Sequence, residues 1–378
     1  MITVVDVEDR RTRHCETTAL GVLLRHEGLE LSEPMLFGLG AGLSFIYCDS
    51  KNMDFPFLGG RVKPFLLTEN LADRLGLELV VQQTASARRA WSNVTSALDA
   101  GRPVGLQLDS YHLDYFGSKV HFGGHIVAMY GYDDRDAYLV DTDQQGGKVT
   151  TSLTGLAAAR SARGPMTARN RSFTLTLAKN APAPRSRIVP AITACAHAFL
   201  DPPIANAGHR GIDKAAKLVR TWRQRTDDPA RDLPQAAVLM EHAGTGGALF
   251  RNLYRDLLAE CRETVDSSHL RAGHALYAEA ATLWTEVAAA ISRAGATGDD
   301  RYLDSAGDLL GEIARIERAI SPRRSPAESR YRSSPVAPAR LIAAATSVHS
   351  VAASAYRAWP ARRWLLSTVS RHSARKSR

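Results

Sequence analysis

The stretch Gly123-Gly124-His125-Ile126-Val127-Ala128-Met129-Tyr130-Gly131-Tyr132 decides how the chain is read. Residues 126–132 are apolar and rich in β-formers, which predicts a buried strand. Asp133-Asp134-Arg135-Asp136 is a tight polar turn. Ala137-Tyr138-Leu139-Val140 then returns as a second strand and ends in Asp141-Thr142-Asp143. The predicted hairpin sets a histidine at one strand's start and a carboxylate at its partner's end, on the same edge. A base beside an orienting carboxylate lacks only a nucleophile, and the candidate is Cys15, far upstream.

Upstream of the hairpin, residues 1–13 read as a charged leader strand and loop. A helix is expected over 15–27, with Ala19, Leu20, Val22, Leu23 and Leu24 on a broad apolar face and Gly28 as its C-terminal stop. Ser32-Glu33-Pro34 opens a short helix to Gly38, with the serine capping. Gly38 to Gly42 is a loop, and 43–48 an extended segment. Thr68 is read as the cap of a helix over 69–75, closed by Gly76, with a strand over 77–82. A helix over 87–100 carries Trp91, Val94 and Leu98 on one face. A strand over 103–109 leads into the polar, aromatic loop 110–123. Ser152 caps a helix over 153–162, and 173–177 is a last strand. Helices followed by mostly antiparallel strands make an α+β domain over 1–179.

A Pro- and Ala-rich linker over 180–187 separates it from a wholly helical pattern over 188–320, with helices at 212–224, 233–242, 247–264, 269–293 and 301–320. The stretch 188–200 is apolar but too short to span a bilayer. The net charge of +9 misleads when taken whole. Residues 321–378 hold 12 Lys/Arg and one acid, whereas the other 320 residues hold 36 basic and 38 acidic side chains. The basic balance is therefore a tail, read as largely disordered, and not a nucleic-acid-binding face. The opening residues lack the basic region and apolar core of a signal peptide, so the expected compartment is the cytoplasm. The four cysteines, at 15, 48, 195 and 261, have neither metal-like nor disulfide-framework spacing.

Three residues carry the chemistry, each with a plainer alternative. Cys48, Cys195 and Cys261 sit in apolar patterns that suit core packing. Cys15 differs, because it starts a helix between His14 and the polar Glu16-Thr17-Thr18. Unpaired N–H groups and the positive dipole end stabilise a thiolate there, and the same N–H groups can receive an oxyanion. From position alone, nucleophile and core residue are evenly matched. His125 has His121 as a rival, and Asp141 has Asp143, since the hairpin register is open by a residue.

The order of a cysteine at a helix start, a histidine opening a strand and an aspartate on the next strand resembles papain-like cysteine enzymes. More closely, His14-Cys15-Glu16-Thr17-Thr18-Ala19-Leu20, residues 31–42, Gly124-His125-Ile126-Val127, Gly131-Tyr132-Asp133 and Val140-Asp141 resemble the family of butirosin biosynthesis protein H. Gly211-Ile212-Asp213, Trp222 and residues 244–254 are similar to the helical domain that follows in that family. The resemblance covers residues 10–320. It implies a papain-like domain and an acyltransferase of natural-product biosynthesis. That enzyme moves an acyl or aminoacyl group from a carrier-protein thioester, through a Cys15 acyl-enzyme, to a small-molecule amine.

In that reading His125 is the base and Asp141 orients it. His14, Glu16, Tyr115, Arg251 and Tyr254 are the candidate substrate-binding residues. His14 stands where many papain-like enzymes place an oxyanion-hole contributor. No metal and no resident cofactor are expected; phosphopantetheine enters only as the donor on an acyl carrier protein. No membrane or nucleic-acid partner is expected, and the helical domain serves as a lid or a homodimer surface. A cysteine peptidase or amidase would use the same triad with water as acceptor, and a non-catalytic binding protein would leave Cys15 unreactive.

Overall fold

Residues 3–319 are described by a computed structural model, apart from 11, 51, 52, 54, 119, 120, 165, 265 and 266. The tail read as disordered lies outside the described residues. The chain opens with Thr3–Val4 (β1), then winds over Cys15–His26 into α1. Ser32 caps Glu33–Leu39 (α2) by accepting from the Met35 N–H, with Pro34 in the first turn. Leu43–Cys48 (β2) and Phe57–Arg61 (β3) pair as a separate antiparallel hairpin. Next come Leu66–Leu75 (α3), Leu77–Gln82 (β4), Ala87–Asp99 (α4) and Val104–Leu108 (β5). The expected central hairpin follows as His125–Tyr132 (β6) and Asp136–Val140 (β7). Lys148–Ser152 (β8), Leu153–Ser161 (α5) and Ser172–Leu177 (β9) complete the sheet region.

The sheet runs β4-β9-β5-β6-β7-β8, with β1 also on β6, and all of its pairings are antiparallel. The molecule is therefore α+β. The first core gathers the apolar face of α1 (Ala19, Leu20, Leu23 and Leu24) against Val127 and Met129 of β6 and Leu106 of β5. Burying each such leucine stabilises the fold by roughly 2 kcal/mol. β6 is buried along residues 125–129, which is why it reads as a continuous apolar run and not as an alternating one.

Beyond the sheet, Ile188–Leu200 (α6), Gly208–Leu218 (α7), Pro229–His242 (α8), Arg251–Thr264 (α9), Ser268–Thr297 (α10) and Arg301–Ala319 (α11) bring the helices among the described residues to eleven. The apolar stretch 188–200 is the buried-facing α6. Trp222 and Trp284, 1% and 0% exposed, anchor a second core, so losing either ring would cost about 3–5 kcal/mol. That core also takes Phe45, Tyr47, Phe55 and Leu58 from the β2–β3 hairpin. α9 packs against α2 so closely that a Cβ on Gly38 would lie 2.2 Å from the Leu257 side chain.

Three local expectations change. Thr68 does not cap α3, which begins at Leu66 behind a left-handed Phe65 (φ 73°). Its amide and hydroxyl instead donate to the buried Glu16 carboxylate. β3 was hidden by Gly59-Gly60, poor strand formers, and β8 by the polar sequence Lys-Val-Thr-Thr-Ser. No helix among the described residues is long and apolar enough to cross a membrane.

Candidate active site

Cys15 is the first residue of α1, behind an extended His14 that makes no side-chain cap. The N–H groups of the first turn have no partners within the helix. Glu33 of α2 holds the approach to that turn: its carboxylate accepts from the Arg13 amide at 2.9 and 3.0 Å, the His14 amide at 2.7 Å and the Thr17 hydroxyl at 3.0 Å. Burial raises the Glu33 pKa, against the lowering effect of those donors. The Asp143 amide donates to the Thr12 carbonyl at 2.9 Å, which ties the segment before Cys15 to the end of the β6–β7 hairpin. Sequence, turn and sheet register thus converge on one edge.

On that edge His125 Nε2 lies 2.7 Å from Asp141 Oδ2, and both side chains are buried. Cys15 lies near enough for its charge to act on the His125 imidazole. Nε2 is committed to Asp141, so Nδ1 is the nitrogen left to exchange a proton with the thiol. Burial lowers the pKa of His125, but the Asp141 and Cys15 charges and the Asp141 hydrogen bond outweigh it and push it up to about 10. The imidazole is therefore held as its cation through the neutral range, beside Cys15. Asp141 Oδ1 accepts from the Thr142 amide at 2.7 Å, and Oδ2 accepts from the Tyr115 hydroxyl at 2.8 Å. Phe116 meets the His125 ring edge-on at 5.2 Å. Cys15 itself is 9% exposed.

The Tyr115 hydroxyl thus braces Asp141. Burial first, then the Asp141 charge, raises its pKa well above the ordinary phenol value and keeps it a donor. Tyr115→Phe removes one hydrogen bond to a buried carboxylate, worth about 1.5–3 kcal/mol. Alkylation of Cys15 by iodoacetamide near neutral pH is expected to slow about tenfold; an unchanged rate would show that Asp141 needs no such support.

The other expected substrate contacts, Glu16, Arg251 and Tyr254, lie in buried surroundings. Glu16 is fully buried, accepting from Arg61 Nη1 at 2.7 Å, the Phe65 and Thr68 amides at 3.2 and 3.0 Å and the Thr68 hydroxyl at 2.8 Å. It locks α1 to β3 and α3. Arg251 is likewise enclosed: its guanidinium makes a two-pronged ion pair with Glu317, both bonds 2.8 Å, and also donates to the Ser44 and Leu249 carbonyls. Tyr254 lies in the core against Tyr277 and Cys195, with its pKa raised by burial and then by those neighbours' charges. None of the three has a free polar atom to offer a substrate.

His14 is 2% exposed, wedged edge-on between Phe37 and Phe250. Burial, then the Arg61 and His125 charges, lowers its pKa well below the usual value, so it is neutral. The Thr17 hydroxyl lies 3.3 Å from His14 Nδ1 and also donates to the His14 carbonyl and Glu33. His14 Nε2 is buried and has no hydrogen-bond partner among the described residues.

Of the rivals, His121 pairs with Asp109 at 2.8 Å, and Asp143 sits on an exposed turn, so neither replaces its counterpart in the Cys15 group. Cys48, Cys195 and Cys261 are buried, and burial raises their pKa values to about 12, 11 and 12. Sequence reasoning missed Glu33, Phe116 and Phe250 as supports of the site. Glu33 was read only as a helix start; its sole signal was a position one turn of chain away from Cys15's helix.

Two family models match the chain. That of butirosin biosynthesis protein H, N-terminal, covers residues 14–142, and a domain of unknown function (DUF4872) covers residues 154–322. No curated protein shows a match to the sequence. The first match contains Cys15, His125 and Asp141 together with Glu33 and Tyr115, and the second contains the helical half. With both segments present in order, the chain matches the butirosin biosynthesis protein H-like family with its uncharacterised C-terminal domain.

Proposed function

We propose that the protein is an amide-forming acyltransferase of antibiotic or related natural-product biosynthesis, with a papain-like Cys15–His125–Asp141 triad. The single observation that carries this reading is the His125–Asp141 hydrogen bond set beside Cys15 at a helix start that no side chain caps. The match to a family named for antibiotic biosynthesis supports the pathway class. The Cys15 thiolate attacks the carbonyl of an acyl thioester, whose donor is the phosphopantetheine arm of an acyl carrier protein. The first-turn N–H groups of α1 receive the oxyanion. Collapse expels the carrier thiolate, which takes a proton from the His125 imidazolium and leaves as a thiol. The acceptor amine then attacks the Cys15 thioester, neutral His125 takes the amine's proton, and Cys15 leaves as thiolate, restoring the ion pair. Asp141 keeps the imidazole oriented throughout.

Intact-protein mass spectrometry after incubation with acyl-carrier thioesters, or simple thioester mimics, tests this. An adduct of the acyl mass is expected on the wild type and not on Cys15→Ala, discharged faster by amines than by water. Discharge by water alone would make the protein a cysteine hydrolase with the same triad. A Cys15 that iodoacetamide alkylates no faster than an ordinary thiol at neutral pH would make it a binding protein.

A further inference from the structure

A second constellation lies on the loop that follows β5, outside the triad. Asp109, His112 and His121 each offer one ligand atom, and these atoms lie within 4.8 Å of one another. Asp109 ends the strand side of the loop and His121 closes its far side, with His112 in the 3₁₀ turn Ser110–His112 between them. The Asp109 carboxylate is set in place: Oδ1 accepts from the Tyr111 amide at 3.1 Å and the Phe122 amide at 2.9 Å. That leaves Oδ2 directed at His121 Nδ1, 2.8 Å away. Tyr111 stacks on the His121 ring at 4.0 Å and meets His112 edge-on at 5.1 Å, so one side chain buttresses both imidazoles. His112 and His121 in turn face each other at 5.7 Å.

We propose that Asp109, His112 and His121 form a three-ligand site for a divalent cation of the zinc class. Two imidazoles and one carboxylate are a donor set that suits zinc, cobalt or nickel and serves magnesium or calcium poorly, since those ions prefer all-oxygen shells. Three protein ligands leave a fourth position for water. Tetrahedral ligands about a zinc ion stand roughly 3.3 Å apart, so the widest pair has to close by about 1.5 Å, which an exposed His121 ring can supply. The backbone bonds to Asp109 fill the orienting role that outer partners play around metal ligands. The spacing Asp-x2-His-x8-His matches no common zinc signature, which is why the sequence alone did not suggest it. The site would clamp both ends of the loop carrying Tyr115 and Phe116, which touch Asp141 and His125. A bound cation would therefore act as a strut for the triad, not as a reactant.

The test uses the full chain carrying Cys15→Ala, so that the triad thiol cannot bind metal. After chelator treatment and dialysis, Zn²⁺ is titrated calorimetrically and Co²⁺ spectroscopically. One equivalent of Zn²⁺ is expected, with visible Co²⁺ bands lacking the thiolate charge-transfer band. Adding His112→Ala or His121→Ala should each weaken Zn²⁺ binding at least tenfold, and Mg²⁺ should not compete. The exposed His121 makes its variant safe for folding, which circular dichroism would verify. No binding, binding that survives both substitutions, or competition by Mg²⁺ would overturn the proposal.

Discussion

Asp141→Asn is expected to cut acyl-enzyme formation about 10³–10⁴-fold while leaving the protein folded. The amide can hydrogen-bond His125 Nε2, but it removes the charge that, with Cys15, overcomes burial and raises the His125 pKa to about 10. With that pKa lowered, less of the enzyme carries the imidazolium beside Cys15 at neutral pH. Iodoacetamide alkylation of Cys15 should therefore slow most near neutrality and less at high pH, where the wild-type imidazolium is also lost. A uniform loss at every pH would instead point to a misplaced ring. The sign of the stability effect follows from the same shift. A histidine raised above its unfolded value of 6.5 contributes its full stabilisation below that pH and loses it as the pH rises through about 10. The wild type should accordingly be destabilised across that window, and Asp141→Asn should show a weaker dependence in urea titrations taken at each pH.

Arg251→Met is expected to destabilise the fold by about 3–5 kcal/mol, read as a lowered urea midpoint. The substitution leaves the Glu317 carboxylate buried with, among the described residues, only the Trp284 Nε1–H, 2.9 Å from Oε1, as a donor. It also orphans the Ser44 and Leu249 carbonyls that the guanidinium satisfies. Arg251→Met with Glu317→Gln removes the stranded charge and keeps an acceptor for Trp284, so most of the lost stability should return. The KM for a thioester donor should then match the wild type. A raised KM in this stable double variant would restore Arg251 as a substrate ligand.

The parts of the fold that were legible in the sequence are those set by local chemistry. Gly28 at φ 80° and Gly76 at φ 62° stop α1 and α3, Ser32 with Pro34 starts α2, and the Asp-rich turn joins β6 to β7. Cys15, His125 and Asp141 could be aligned because each sits at the end of a strongly patterned element. What escaped was long-range. Glu16 reads as a polar substrate contact at the helix start, yet Arg61 and Thr68, from β3 and α3, bury it. Arg251 reads as a substrate contact just past a glycine turn, yet Glu317 lies 66 positions away and meets it in the interior. Nothing in the local pattern announces a partner of that kind. The backbone over 248–250 was equally unreadable: Ala248, Leu249 and Phe250 take φ values of 50°, 47° and 74°, which no propensity favours.

The position of β9 has a consequence for dissecting the protein. Residues 172–177 belong to the segment that matches the second family model, yet they lie between β4 and β5 of the first. The β2–β3 hairpin makes the reciprocal exchange by supplying Phe45, Tyr47, Phe55 and Leu58 to the helical core. A fragment ending at residue 142 would therefore expose three raw strand edges, on β4, β5 and β7, and four orphaned apolar side chains, a recipe for aggregation. The two segments are interlocked halves of one article of clothing, not beads on a string: swapping the second between relatives would exchange part of the weave that holds the first.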